Sequence, residues 1–210
     1  MVALQERSQH VVLYDVGWQT YLALLHDLGQ KRTTRLAYDS GTLEIAMPSD
    51  EHEIIKHLLE RIITALTFVF NLSVKGAGSV TLSREDLQRS VEPDGCFYIQ
   101  NAERVRGRRI DLPTDPPPDL VLEVDVTSPS KHKLSIYASL GVPEVWVCVE
   151  RKLSIYGLRE GLYEQLEHSA TFPQVSAERV TYWLAQGETE DDNAVVRSLQ
   201  AWVQALENPG

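Results

Sequence analysis

Long apolar runs are missing from this chain of 210 residues. No stretch reaches the roughly 18 consecutive apolar residues that a membrane-spanning helix requires. The opening MVALQERSQHVVLYDV breaks its apolar residues with Gln5, Glu6, Arg7, Ser8, Gln9 and His10 before a signal-peptide core is reached. A cytoplasmic protein with no membrane partner is therefore expected. Cysteine is also scarce: Cys96 and Cys148 are the only two, and both lie in apolar, strand-like segments. That excludes a disulfide framework and a cysteine-ligated zinc centre and leaves buried free thiols as the expectation. Basic residues are in deficit, with 20 Lys and Arg against 30 Asp and Glu and a formal net charge of −10. Such a balance opposes loose, sequence-independent attraction to a phosphate backbone. Any nucleic-acid chemistry must then come from a local site. Internal repeats, heptads and low-complexity tracts are absent, and Pro113-Thr-Asp-Pro-Pro-Pro118 reads as a short stiff loop.

What is present suffices for one core. A hydrophobic content of 43% over this length fits a single domain spanning 1–210. Trp18, Tyr21, Leu22, Leu25 and Leu28 recur at helical spacing and stop at Gly29, predicting an N-terminal helix over about 15–28. Arg35–Asp39 and Thr42–Met47 flank Ser40-Gly41, a hairpin signal. Ser49 is suited to cap a long helix to about Phe70, with Ile55, Leu58, Leu59, Ile62, Leu66, Val69 and Phe70 inward and Glu53, Lys56, His57 and Glu60 outward. Short extended segments follow at Val80–Leu82 and Gly95–Ile99, then a longer one at Leu120–Thr127. A helix is expected from Ser130 to Leu140, closed by Gly141, then strands Glu144–Glu150 and Leu153–Leu158 around a turn at Arg151-Lys152. The C-terminal extension reads as helices over Ala177–Ala185 and Ala194–Leu206, joined by an acidic loop containing Glu188, Glu190, Asp191 and Asp192. This order defines an α/β or α+β class with a partly antiparallel sheet.

The chemistry concentrates around residues 119–130. Strand alternation puts Leu120, Leu122, Val124 and Val126 on one face and Val121, Glu123 and Asp125 on the other. Two carboxylates about 6.6 Å apart on a buried face need a cation or proton to offset their repulsion, and a divalent ion held by oxygen ligands is one solution. The competing reading is an edge strand with that face in water. Lys133 shares a helical stripe with Ile136, Tyr137 and Leu140; it either joins the carboxylates or snorkels past the core edge. Asp94, 29 residues before Glu123, precedes a strand that has chain enough to be a neighbour.

Glu92-Pro-Asp94, Pro118-Asp-Leu-Val-Leu-Glu-Val124, Thr127-Ser-Pro-Ser130 and Lys133-Leu-Ser-Ile-Tyr-Ala-Ser-Leu-Gly-Val-Pro-Glu-Val-Trp146 together resemble the putative restriction endonuclease family of the PD-(D/E)XK nuclease superfamily, over about residues 35–150. The resemblance implies a restriction-endonuclease-like fold, a mixed β-sheet core flanked by helices. It implies a Mg²⁺- or Mn²⁺-dependent endonuclease acting on DNA, with Asp94 and Glu123 as metal ligands and a lysine assisting hydrolysis. Position 125 is Asp where the superfamily's Glu-X-Lys pattern has Lys, so the lysine role passes to Lys133, with Asp125 as a supporting residue. Glu53 matches an acidic residue that many members carry early in the first core helix, although its face also reads as solvated. His52 has two readings, a general base or a surface helix residue. Arg104, Arg106, Arg108 and Arg109 form a basic loop that is either a DNA contact or merely solvated. Three functions stay open: the DNA endonuclease, a catalytically weak or inactive nuclease-fold interaction module favoured by the −10 charge, and a phosphodiesterase of small substrates. A homodimer is compatible with cutting two strands.

Overall fold

The computed structural model describes residues 9–29, 33–125 and 131–207. Its strands form two sheets. The smaller has the order β1-β3-β2-β6-β5 and is antiparallel throughout, built from β1 (Gln9–Leu13), β2 (Arg35–Asp39), β3 (Thr42–Met47), β5 (Leu82–Arg84) and β6 (Arg89–Val91). The larger has the order β11-β10-β9-β8-β7-β4, built from β4 (Lys75–Gly76), β7 (Gly95–Tyr98), β8 (Leu120–Asp125), β9 (Glu144–Val149), β10 (Lys152–Arg159) and β11 (Leu162–Leu166). Within it β8 and β9 are parallel and the other pairs antiparallel. Parallel neighbours need a crossover, and α3 (Lys131–Leu140) supplies it.

Alternation along β8 separates two cores. Leu120, Leu122 and Val124 join Trp146, Cys148 and Ile155 beneath α2 (Asp50–Val69), α4 (Ala177–Gln186) and α5 (Asp192–Glu207). On the opposite face Val121, Val145 and Val147 meet Ile136 and Tyr137 of α3, together with Ala37, Leu82 and Val91 of the smaller sheet. Helix α3 thus lies between the two sheets. The smaller sheet's far face packs Leu36, Tyr38 and Leu43 against Trp18 and Tyr21 of α1 (Trp18–Leu28). Both cysteines are buried free thiols, as expected.

Two acidic residues join the sheets. Glu92 Oε2 accepts from the Leu36 backbone N–H at 2.9 Å and Oε1 accepts from Thr81 Oγ1 at 2.9 Å, both in or beside the smaller sheet. Two residues later Asp94 Oδ2 accepts from the Val124 N–H of the larger sheet at 2.8 Å. The intervening Pro93 has a restricted φ, so Glu-Pro-Asp acts as a short rigid tie.

Several sequence expectations shift. The first helix begins at Trp18, and Leu28 is exposed instead of completing the buried stripe. The β9–β10 turn sits on Glu150 and Arg151, both at positive φ, with Val149 opposite Lys152; the expected Arg151-Lys152 turn is one residue late. The extended segment near 80 starts at Leu82, and β7 ends at Tyr98. Asp191 caps α5 by accepting from Asn193 and Ala194 N–H, and Asp192 belongs to that helix. Strand β8 is described to Asp125; Val126 to Ser130 lie outside the described residues. Among the described residues no helix is long and apolar enough to cross a membrane.

Glu144, the acid of the Gly-Val-Pro-Glu-Val-Trp motif, is structural. Buried at the start of β9, it accepts from Trp146 Nε1 (2.6 Å), Ser169 Oγ (2.6 Å), Thr171 N (2.8 Å) and Thr171 Oγ1 (2.9 Å). Glu144→Ala leaves these donors unpaired in the interior and is expected to cost about 3 kcal/mol or more, measured by urea denaturation, without altering metal binding.

Candidate active site

The register that pairs Gly95 with Leu122 carries Asp94 alongside Glu123 when extended by one residue. Both are almost fully buried, at 4% and 3% exposure. Strand β8 is flanked on both edges by β7 and β9, so the edge-strand reading of Glu123 does not hold. Lys133, one turn into α3, reaches down from the layer above, and its Nζ lies 2.8 Å from Glu123 Oε2. Tyr137, four residues on and therefore on the same helix face, donates its hydroxyl to Glu123 Oε1. From the other side, the first turn of α2 brings His52 Nε2 to 3.0 Å from Asp94 Oδ2. Ser49 starts that helix by accepting from the His52 N–H at 3.3 Å.

Two carboxylates, one lysine and one histidine share this dry space, and Glu44 of β3 adds a further negative field at Lys133. Burial pushes Glu123 up to about 7, and Asp94 adds to the rise while Lys133 opposes it. Asp94 is also penalised by burial, but the His52 hydrogen bond and charge, with Lys133, hold it below the ordinary carboxylate range. Burial works against a charged Lys133, yet Glu123 and Asp94 raise it above a normal lysine, so it stays cationic. His52 is likewise raised, by Asp94 and then Glu53 against burial. Asp94 thus leans on His52 and Glu123 on Lys133, two carboxylates held in one buried space.

Two neighbouring buried carboxylates offer oxygen donors that fit a hard divalent ion such as Mg²⁺ or Mn²⁺, which binds through one or two carboxylates and keeps several waters. Asp94 and Glu123 are the residues that would hold it. Among the described residues no group of three or more His, Cys, Asp or Glu side chains stands together as a metal-binding set.

The supporting candidates separate. Glu53 is half-exposed at the rim, 3.3 Å from both Lys56 Nζ and His52 Nδ1, and is linked to Asp94 only through His52. Asp125 ends β8 on Glu123's face, partly buried. The arginine loop lies elsewhere: the chain leaves β7 at the end remote from Asp94 and re-enters β8 at Leu120. Arg106 pairs with Glu103, and Arg108 bonds the Arg104 carbonyl and Asp115, so the loop's charges largely staple the loop. Asp119 of the Pro-Asp pair accepts from Ile99 N, Asn101 N and Asn101 Nδ2 at this same far end. Tyr137 and Glu44 were not singled out from sequence, and His52 stayed between a general base and a surface helix residue. His52 lay within an acidic first turn, Tyr137 looked like core, and Glu44 interrupted an apolar strand in the way Glu123 does.

The chain belongs to the Uma2 family, described as putative restriction endonuclease, whose profile matches residues 18–186. Among solved structures it is similar to a putative nuclease belonging to DUF820 from Anabaena variabilis, with a TM-score of 0.55 and 14% sequence identity, covering 80% of this chain and 99% of that one. At that identity the likeness concerns the fold. No protein of curated function matches the chain.

Two outcomes follow from the burial of Glu123 beside Lys133. A carboxyl raised to about 7 in the folded state from about 4.3 in the unfolded chain keeps its proton on folding between those values. Stability in chelator is therefore expected to fall as pH rises through that window, and Glu123→Gln should flatten the decline in thermal midpoints. Lys133→Met strands Glu123 and is expected to cost about 3–5 kcal/mol; adding Glu123→Gln should recover most of it in a double-mutant cycle.

Proposed function

We propose that this protein is a Mg²⁺-dependent endonuclease hydrolysing DNA phosphodiester bonds, with Asp94, Glu123 and Lys133 as its reacting centre. The observation that carries this reading is the meeting of those three side chains in one buried cluster between the sheets, in a chain of a family described as putative restriction endonuclease. Asp94 and Glu123 would hold the ion, which when bound supplies water activation and Lewis-acid stabilisation of a phosphoryl oxygen. Lys133 keeps a fixed ammonium beside them, placed to offset charge growing on a non-bridging oxygen. Tyr137 and His52 lock the two carboxylates from behind, so little reorganisation is needed when substrate arrives. The low-dielectric surroundings strengthen each of these interactions.

The test is calorimetric titration of Mn²⁺ into wild type, Asp94→Ala, Glu123→Ala and Lys133→Ala, alongside incubation with supercoiled, linear and single-stranded DNA and with a chromogenic phosphodiester. Either carboxylate variant is expected to lose metal binding and cleavage together. Lys133→Ala should retain the metal and lose rate by on the order of 100-fold or more. Cleavage of the small ester alone would replace DNA by a small-substrate reading, and a wild type that binds no metal would make the chain a nuclease-fold interaction module.

A further inference from the structure

Most arginines of the described residues that approach a carboxylate are paired with it: Arg84 with Asp86 at 2.6 Å, Arg89 with Asp39 at 2.7 Å, and Arg108 with Asp115. Arg35 is different. Its side chain is partly buried, and its Nε is shielded from solvent and makes no hydrogen bond. No carboxylate of the described residues lies within ion-pair distance of it.

Its place in β2 is informative. Arg35 stands opposite Ala46 of β3, and Ala37 stands opposite both Glu44 of β3 and Val91 of β6. Alternation puts Arg35 and Ala37 on one face, and Ala37 packs against the core that contains α3 and β8. Glu44 shares that face and is felt by Lys133. Extending the β2–β6 register by two residues brings Arg35 beside Pro93, directly before Asp94. The register therefore sets the Arg35 backbone beside the segment that leads into Asp94, on the face of β2 turned toward α3.

Shielding an arginine Nε from water without a partner is costly, and a buried unsatisfied donor in a folded protein calls for a reason. Nε and one Nη form the edge of a planar fork that matches two oxygens of a phosphate. Phosphate oxygens are also the groups that a metal-assisted hydrolytic centre must receive at this position.

We propose that Arg35 is a phosphate-binding residue that grips a non-bridging phosphate of the substrate at the smaller-sheet side of the Asp94–Glu123–Lys133 cluster. The assignment of a phosphate to this position stands on the unbonded Arg35 Nε and the place of Arg35 in β2; that the phosphate belongs to DNA rests on the function proposed above.

The experiment compares wild type, Arg35→Gln and Arg35→Lys in two measurements. In the first, thermal midpoints are recorded with increasing inorganic phosphate against chloride at matched ionic strength, with and without Mg²⁺. Wild type should be stabilised by phosphate through mass action, Arg35→Gln should lose that shift, and Arg35→Lys should keep part of it. Without phosphate, Arg35→Gln should melt no lower than wild type, because the Arg35 Nε makes no hydrogen bond in the free protein; a structural arginine would show the opposite. In the second, anisotropy of a labelled DNA duplex is followed across a salt series. Arg35→Gln should bind about tenfold more weakly and lower the slope of log K against log[salt] by roughly one contact's worth, close to 0.9. A phosphate shift lost in Arg35→Gln with no DNA binding by wild type would keep the phosphate site and remove DNA as its bearer. Equal phosphate responses in wild type and Arg35→Gln, no response in wild type, or a destabilised Arg35→Gln in phosphate-free buffer would each overturn the proposal.

Discussion

The contact between Lys133 and Glu123 governs this architecture. Glu123 sits at the middle of the larger sheet with no water to stabilise its charge, and Lys133 is the cation that meets it. For that meeting to occur, α3 must cross directly over β8, which the parallel β8–β9 pair requires. The smaller sheet then closes the other side of α3 through Ala37, Leu82 and Val91. A helix sandwiched between two sheets has little exposed surface, and its one inward lysine is held to a single task.

The same contact explains how a chain with net charge −10 is compatible with phosphate chemistry. The overall charge acts over distances that salt screens within about 10 Å, whereas the cluster works at hydrogen-bond range in a medium that screens little. Asp94 and Glu123 both raise Lys133, and His52 is drawn toward its charged form by Asp94. The local demand is for a cation, whatever the sign of the distant surface.

Much of this was legible in the sequence wherever a pattern had a single physical solution. The Ser49 cap and its apolar stripe, the Ser40-Gly41 hairpin and the alternation of β8 each fixed an element and its buried side. The Lys133–Ile136–Tyr137 stripe pointed to the helix that roofs Glu123, and the motif resemblance brought in Asp94. What stayed hidden depended on pairing between segments far apart. The second sheet needs β6, three residues long, to bridge β2 and β5, and no periodicity can develop in three residues. Strand β11 is a polar edge strand, half in water, with no apolar signature. His52 and Tyr137 became recognisable only when their partners, 42 residues away in Asp94 and 14 in Glu123, were in place. Sequence proximity of the arginine cluster to β8 said nothing about which end of the strand it borders.

The Glu-Pro-Asp tie has a consequence for how the molecule comes into being. One acid is bonded to the smaller sheet and the other to the larger, so the two layers are registered to each other by the segment that supplies a site carboxylate. A ribosome releases the smaller sheet, α2 and this tie first, while Val124, Glu123 and Lys133 emerge later and β9 later still. Until the larger sheet assembles, Asp94 has no strand to grip and Glu123 has no lysine. The Asp94–Glu123–Lys133 cluster thus forms only when the larger sheet assembles on the smaller, and a half-folded chain carries its parts without the geometry.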